Sequence, residues 1–449
     1  MRGEVKLVPS NSYRLKPWQR AVLSSAIGTP AVLAGGAAQA QLNPSLIRTV
    51  VLPDFSRDRN QGVTERARPD FDAIGVQVGS FLINPQLSVA TGITSNVLLT
   101  DAIQRSDVFT VYQPALRVAS NWSVHRVSID ASGDLRRYAS TSARNQDAGY
   151  INAQGRLDVS RRITIIGDAQ ISRVFESPFS DDLLINQTYF SHFTRRSGTV
   201  RGVYASGRLR ATAILDHNEY SFAPIRFIDG RSASQAFRDR TIDRGTAIAE
   251  YGVTPTVAFY AQIVSDRTRY PNVLAGNLSN RDSNGATALG GVSFDIAGLM
   301  RGAAGIGYTY RNYLAPRFND ASGISLQSRL DFFPTELTTV GVSLQRQIQD
   351  ANLGNGSAFI DSRLGISVDH ELLRNLILSA NAIRVRRSYL ENDALTNVTQ
   401  ANFEARFQMT RSLSFGIDSF YGKSAPQRSL RLGVGSTEWR GQVSVRIRR

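Results

Sequence analysis

The chain has 449 residues, of which 42% are hydrophobic and 20% are charged, and it contains no cysteine. Its 52 basic residues outnumber its 37 acidic ones, which gives a formal net charge of +15. The missing cysteine excludes a disulfide-stapled scaffold, a thiolate metal site and a cysteine nucleophile. The hydrophobic fraction excludes wholesale disorder, and only one stretch near the N-terminus approaches the length of a membrane-spanning helix.

The basic excess consists almost entirely of arginine, because lysine occurs only at Lys6, Lys16 and Lys423. Two interpretations stay open. A GC-rich genome produces such a bias without any functional cause. Alternatively, rigid, forked guanidinium groups line a surface that handles anions.

The N-terminus has the parts of a secretory signal. A basic segment precedes an apolar run over residues 21–38, which ends in Ala38-Gln39-Ala40. A positive start, a short apolar middle and small residues at −3 and −1 predict a signal peptide over residues 1–40, cleaved after Ala40. Residues 41–78, which contain several prolines and many polar groups, are predicted to form an extended or disordered periplasmic lead-in.

From Gly79 onward, apolar and polar residues alternate with a period of two. Ala401, Phe403, Ala405 and Phe407 share one face of their segment, and polar residues occupy the other. Side chains of a strand point alternately to its two faces, so such segments are predicted to be strands with one apolar face. The same alternation holds in 151–159, 324–332, 338–345, 360–369 and 439–448.

These runs extend over about ten residues, the length that a tilted strand needs to cross a bilayer. A sheet that spans lipid has to close, because an open edge would leave unpaired backbone groups in hydrocarbon. The predicted fold class is therefore all-β, a single transmembrane antiparallel β-barrel over residues 79–449, exported to the outer membrane.

Short turns and longer polar stretches alternate along this region, as short periplasmic turns and long external loops do in outer-membrane barrels. The spacing of the turns predicts nine hairpins and hence 18 strands, with 16 as the alternative, which is wide enough for an aqueous channel. The predicted turns are Asn121-Trp122-Ser123, Arg161-Arg162, Gly207-Arg208, Thr254-Pro255, Gly298-Leu299, Pro334-Thr335, 371–375 and Arg411-Ser412.

The sequence offers no catalytic constellation. No two of its four histidines have metal-ligand spacing, and neither a nucleophile elbow nor a phosphate-binding loop occurs. Asp216-His217 and Asp369-His370 are sequence neighbours, which point to opposite faces of a strand. Asp181-Asp182 is favoured to be a solvated loop, with a divalent-cation contact between lipid headgroups as the alternative. We therefore expect no enzyme activity, no cofactor and no metal site.

Charged residues on the polar faces of the strands are the candidates for the barrel lumen. Charges inside a pore set its ion preference, and a net positive lumen would favour anionic solutes, acidic glycans among them. Mixed signs also allow ion pairs that cross-link the wall, which we expect for about half of these residues. The candidates are Arg117, Arg156, Arg201, Arg210, Arg329, Arg363, Arg384, Arg406 and Arg446, together with Asp130, Asp158, Asp361 and Glu404.

The start of the barrel region carries a recognisable motif. It consists of R-P-x-[YF]-D-x-x-G-[IV], then G-S-F-x-x-x-P, then an asparagine, and it corresponds here to Arg68, Pro69, Asp72, Gly75, Gly79, Ser80, Phe81, Pro85 and Asn96. The segment resembles the opening of a porin-2-like outer-membrane β-barrel family. The resemblance implies a barrel encoded beside exopolysaccharide or capsule export genes in Gram-negative bacteria, with Phe81 at the periplasmic interface and no catalytic residues.

Three functions are compatible with these features. The first is a conduit for export of an acidic exopolysaccharide, which the family resemblance implies. The second is a general diffusion porin for small solutes. The third is a structural or surface-binding barrel with a plugged lumen. The expected partners are outer-membrane lipid and lipopolysaccharide, the barrel-assembly machinery and periplasmic polysaccharide-export components, with no nucleic acid.

Overall fold

A computed structural model describes residues 60–449 except 178, 180–190, 228–230, 352–356, 392–393 and 428–434. The predicted signal peptide, the lead-in up to residue 59 and Asp181-Asp182 lie outside the described residues. None of the described helices is long and apolar enough to cross a membrane. The three short 3-10 helices are Val63–Glu65, Ser142–Arg144 and Ala236–Arg238.

The rest of the regular structure is antiparallel strand. The strands are β1 (Val76–Val78), β2 (Phe81–Thr94), β3 (Asp107–Ser120), β4 (Arg126–Tyr138), β5 (Gln146–Asp158), β6 (Ile163–Phe175), β7 (His192–Ser206), β8 (Leu209–Phe222), β9 (Ile225–Arg226), β10 (Ser232–Ala233), β11 (Arg240–Gly252), β12 (Val257–Arg269), β13 (Ser283–Ile296), β14 (Met300–Tyr313), β15 (Ala321–Thr335), β16 (Thr338–Asp350), β17 (Ala358–Leu373), β18 (Leu376–Tyr389), β19 (Leu395–Gln408), β20 (Leu413–Gln427) and β21 (Ser436–Arg448).

Eighteen of these strands form a closed barrel. Each pairs with its neighbours in chain order, β8 pairs with β11 across the small β9–β10 hairpin, and β21 pairs back with β2. The predicted fold class and the strand number of 18 are confirmed. Closure gives each of the 18 strands a partner on both sides, as a lipid-spanning sheet requires.

The alternation in the sequence corresponds to two physically different walls. On β12, Phe259 and Ile263 point outward and are 59% and 64% exposed, whereas Tyr260 and Gln262 between them are buried. The outward set of apolar side chains suits a hydrocarbon surrounding, and the inward set is polar and densely contacted. On β12, the apolar Phe259 and Ile263 therefore face outward, and the polar Gln262 lines the interior.

The connections have the two sizes that the sequence predicts, so the barrel has a short-turn end and a long-loop end. Two turns differ in position. The turn predicted over 371–375 occupies only 374–375, because β17 extends to Leu373. Pro334-Thr335 forms the last residues of β15, and the chain reverses at 336–337, where β16 begins with Thr338. A bulge between Phe332 and Thr335 accounts for the shift, because it lets β15 extend two residues further.

The seam between the first and last barrel strands is shorter than its neighbours. β2 pairs with β3 from Phe81 to Thr94, but with β21 only from Gln86 to Thr94. At the short-turn end the gap is filled by β1, which pairs with Phe81–Ile83. Two motif glycines allow this hairpin, since Gly75 and Gly79 have φ values of +77° and +57°.

The long-loop end of the seam is held by the motif residue Asn96, which is completely buried. Its side-chain amide donates to the carbonyl oxygens of Thr100 at 3.0 Å and Thr437 at 2.9 Å, and its Oδ1 accepts from the Leu99 amide at 3.0 Å. One side chain thus links the β2–β3 loop to the start of β21, which explains an asparagine at this position.

Replacing Asn96 by alanine removes these three bonds, including those to the partly buried carbonyls of Thr100 and Thr437. We expect a loss of about 1–3 kcal/mol in the free energy of unfolding, measured by urea titration of the barrel in liposomes. The matched control is Asn319→Ala, because Asn319 is exposed, and its effect should stay within about 0.5 kcal/mol. Equal stability of the two variants would contradict the role given to Asn96.

Candidate functional site: the barrel interior

The inner wall carries an aromatic contact that crosses the barrel. Phe179, from the β6–β7 connection, is 3% exposed and packs with Val385, Val398 and Phe420 of β18, β19 and β20. The Phe179 and Phe420 ring centroids lie 5.8 Å apart. Because β20, β19 and β18 lie six to eight strands from β6 around the ring of 18, Phe179 bridges the lumen. Its contacts identify the inward face of each of these strands.

The lumen is narrow where Phe179 crosses it, because the segment that carries Phe179 is short. Phe179 follows the end of β6 at Phe175 by four residues, which span at most about 14 Å when fully extended. Arg387 of β18, which is 1% exposed, donates from Nη2 to the Phe179 carbonyl oxygen at 3.2 Å. A Cβ built at Gly422 would lie 2.5 Å from the Phe179 ring, so glycine there makes room for it.

The base of the bridge is fixed by a buried ion pair. Arg238 Nη1 donates to Glu176 Oε2 at 3.0 Å, and both side chains are 2–3% exposed. The Arg238 guanidinium also stacks over the Phe222 ring, 4.2 Å from its centroid. Gln235 Nε2 completes the network with 2.8 Å bonds to Ser191 Oγ and the Ala223 carbonyl oxygen. The β8–β11 connection therefore supports the chain that carries Phe179.

A second element enters the lumen from the β16–β17 hairpin. The β15–β16 pairing ends at Leu326 and Arg346, while β16 and β17 stay paired up to Asp350. Asp350 accepts from the Tyr313 hydroxyl at 2.7 Å and lies 3.6 Å from the Arg311 guanidinium, both inward groups of β14. The upper part of the hairpin has therefore turned inward over the β14–β15 wall.

The N-terminal segment lines the short-turn mouth. Asn60 Nδ2 donates to Asp295 Oδ1 at 2.7 Å, Glu65 lies 2.6 Å from Arg301, and Val63 is completely buried. Burial raises the pKa of the Glu65 carboxyl, but hydrogen bonds from Arg301 and the Gly62 amide outweigh it, so the pKa falls below its ordinary value. From Asn60 to Glu65, this segment is ordered against the inner wall.

The first residues of the motif continue that segment along the mouth. Arg68 lies 2.9 Å from Glu371, the Pro69 carbonyl accepts from Arg411 at 3.0 Å, and Asp72 accepts from the Arg68 amide. The remaining motif positions belong to the seam. Ser80 O accepts from the Asn121 amide, Phe81 stacks edge-on against Trp122 at 5.9 Å, and Pro85 O accepts from the Arg449 amide.

The structure places the predicted lumen residues on the inward side of their strands, with one difference. Arg384 points outward, because it alternates with the buried Val385 that receives Phe179. The inward residues are Arg117, Arg156, Arg201, Arg210, Arg329, Arg363, Arg406, Arg446, Asp130, Asp158, Asp361 and Glu404.

Four of these eight inward arginines have a carboxylate two residues away on the same strand. Arg156 lies 2.9 Å from Asp158, Arg363 lies 2.5 Å from Asp361, and Arg406 lies 2.6 Å from Glu404. Residues at i and i+2 share a face of a strand, so this spacing produces the pairs. Arg329 lies 3.7 Å from Asp331 of the same strand. Two further pairs join neighbouring strands, Arg117–Asp130 and Arg210–Glu250, each at 3.5 Å.

Two inward arginines, Arg126 and Arg201, depart from this pattern, and they lie in one row with Arg156. Arg126 of β4 pairs with Arg156 of β5. Arg156 pairs in turn with Ile166 of β6, and Ile166 pairs with Arg201 of β7, so the three arginines lie at the same level of neighbouring strands. Within the described part of the chain, Arg126 and Arg201 have no carboxylate within 4.0 Å. We call Arg126, Arg156 and Arg201 the arginine row. Sequence reasoning missed Arg126, and it also missed Phe179, which no sequence pattern marks.

Among the described residues, no group of three or more histidine, aspartate or glutamate side chains could hold a metal ion. Asp216 is buried inside the barrel, where its Oδ1 accepts from Thr199 at 2.8 Å, whereas His217 points outward to Asp243 at 2.6 Å. The two neighbours therefore lie on opposite faces, as the alternation predicts.

A family model described as "Putative beta-barrel porin 2" matches residues 68–449. The chain belongs to this porin family. It is therefore a porin-like barrel of the outer membrane, in which short turns face the periplasm and long loops face outside. The match begins at Arg68, the first residue of the motif.

Solved outer-membrane proteins have a similar fold. OpdK of Pseudomonas aeruginosa is 11% identical, with 82% of this chain and 99% of that chain covered and a TM-score of 0.42. OccK2 (OpdF) of the same organism is 10% identical, with coverages of 82% and 98% and a TM-score of 0.45. OccAB3 of Acinetobacter baumannii is 8% identical, with coverages of 82% and 99% and a TM-score of 0.43. No curated protein matches the chain.

Replacing Phe179 by alanine removes the ring that bridges the lumen. We expect the single-channel conductance in planar bilayers to rise roughly twofold, since the narrowest cross-section limits the current. Phe403→Ala is the matched control, because Phe403 is an outward-facing aromatic of β19 that is 43% exposed. An unchanged conductance in the Phe179 variant would show that the bridge does not limit the passage.

Proposed function

We propose that the barrel is a selective channel for small anionic solutes, acidic saccharides among them. The arginine row is the observation that carries this proposal. Among the described residues, Arg126 and Arg201 have no carboxylate within 4.0 Å, whereas carboxylates neutralise Arg156, Arg363 and Arg406. A guanidinium binds a carboxylate through two parallel hydrogen bonds, so the row would concentrate such anions at the inner wall.

The narrowing of the lumen supports small solutes. Phe179 and the inward-turned β16–β17 hairpin both occupy the lumen. In a narrow passage with low-dielectric walls, a fixed charge acts on every solute that passes, which strengthens selection by charge. The barrel would then act by passage alone, without catalysing a reaction.

Ion selectivity in planar bilayers tests the proposal. Under a potassium chloride gradient, the wild-type reversal potential should show preference for chloride. The double variant R126Q/R201Q should lower the chloride-to-potassium permeability ratio by a factor of about two or more, because it removes both unpaired charges. The matched control R384Q/R386Q removes two outward-facing charges and should leave the ratio unchanged.

Two outcomes would contradict the proposal. A cation preference in the wild type would show that the row does not govern permeation. A barrel without conductance would instead favour the structural or surface-binding function with a plugged lumen.

Export of an acidic exopolysaccharide is the second candidate. The motif from Arg68 to Asn96 favours it, since it resembles barrels encoded beside polysaccharide-export genes, and the arginine row suits an acidic polymer. Phe179 would then have to leave its contacts with Val398 and Phe420 to let a chain pass. Periplasmic export components would deliver the polymer, and the barrel-assembly machinery would insert the barrel after cleavage of residues 1–40.

Deleting the gene should then trap polymer in the periplasm. Complementation with R126Q/R201Q should restore less surface polymer than complementation with R384Q/R386Q, in which the lumen is intact. A normal amount of surface polymer in the deletion strain would exclude export as the function. The proposal of small-solute passage would still stand.

A further inference from the structure

The outward wall of the barrel is asymmetric in charge. Near the periplasmic end, its exposed side chains are apolar or aromatic, such as Phe407 and Phe415 on β19 and β20. Near the external end, exposed basic side chains replace them, including Arg173, Arg196 and Arg267. A charge on the lipid-facing wall is costly at the bilayer midplane and cheap near the interface, so these residues mark the external headgroup layer.

On β18–β20 this charge forms a cluster. Arg384 stands beside Thr399 of β19, which stands beside Lys423 of β20, and Arg386 lies one outward position further along β18. All three basic side chains are exposed, and Arg384 Nη1 donates to Thr399 Oγ1 at 3.2 Å. We call Arg384, Arg386 and Lys423 the basic cluster.

Among the described residues, the outward faces of the strands around the basic cluster differ in charge from those of the opposite wall. The outward positions of β17–β21 in the described part of the chain contain no aspartate or glutamate. The opposite wall differs, because Arg196 lies 3.0 Å from Glu219 there, and His217 lies 2.6 Å from Asp243. Outward charges on β7, β8 and β11 are therefore compensated by protein carboxylates, whereas the charges of the basic cluster remain available to an external partner.

The height of the basic cluster fits a headgroup. From Leu413, at the periplasmic end of β20, to Lys423, a strand tilted by about 40° rises about 25 Å along the membrane normal. This distance equals the height of the apolar band of outer-membrane barrels, about 25 Å. Tyr421 and Trp439 pair directly below Lys423 and are exposed outward. Aromatic side chains of this kind mark the interface.

We propose that the basic cluster binds the phosphate of an outer-leaflet glycolipid of the lipid A type. Two guanidinium groups and an ammonium group, with the Thr399 hydroxyl between them, supply charge-assisted donors to a phosphate. The acyl chains of the same lipid would lie against the apolar band below, which a soluble anion cannot do. This inference concerns the outer wall and does not depend on the solute that the lumen carries.

Binding to the folded, purified barrel in detergent tests the site. Lipid A bisphosphate should bind the wild type at least about tenfold more tightly than chemically dephosphorylated lipid A, as measured by native mass spectrometry. The triple variant R384Q/R386Q/K423Q should lose this difference. The matched control R196Q removes an arginine that is already paired, and it should bind like the wild type.

Folding is controlled separately. Circular dichroism and heat-modifiable migration confirm the barrel in each variant, and R384K/R386K, which keeps both charges, should bind within several-fold of the wild type. Equal binding of lipid A by the triple variant would overturn the site. Displacement of lipid A by inorganic phosphate at equal concentration would overturn the lipid assignment, since it would indicate a site for soluble anions.

Discussion

Closure of the sheet is the constraint on which the rest of the structure depends. Unpaired backbone groups in hydrocarbon cost several kcal/mol each, so the last strand has to find the first one. In this chain the β2–β21 seam is incomplete at the short-turn end, where pairing starts only at Gln86. β1 supplies the missing partner, and Arg448 Nη2 ties the end of β21 to the Phe71 carbonyl oxygen at 2.7 Å.

The need to complete this seam explains the position of the family motif. Gly75 and Gly79 turn the chain into β1 and then β2, and Asn96 closes the opposite end of the same seam. A Cβ at Gly75 would lie 2.6 Å from Asn84 Oδ1 in addition to the strain of its positive φ. The motif therefore specifies how the barrel begins and closes.

The sequence was sufficient to predict the barrel, but not to predict which parts of the chain occupy its lumen. Period-two alternation predicts the strands and their number because one face meets lipid and the other meets polar groups. The same reasoning misplaced Arg384, because β18 turns the apolar Val385 inward to receive Phe179. Such a contact joins residues far apart in the chain, and no local pattern records it. The i, i+2 spacing of Arg363 and Asp361 did contain the signal for their ion pair.

The interior and the outer wall follow one rule about charge. Where a carboxylate lies beside an arginine, as in Arg406–Glu404 inside and Arg196–Glu219 outside, the pair has no net charge and cross-links the barrel wall. Where it is absent, the guanidinium retains an uncompensated field, which extends over about 8–10 Å at physiological salt. The arginine excess thus has meaning only position by position. The unpaired Arg201 faces solutes in the lumen, whereas the basic cluster faces the outer leaflet, so the same residue type serves two different environments.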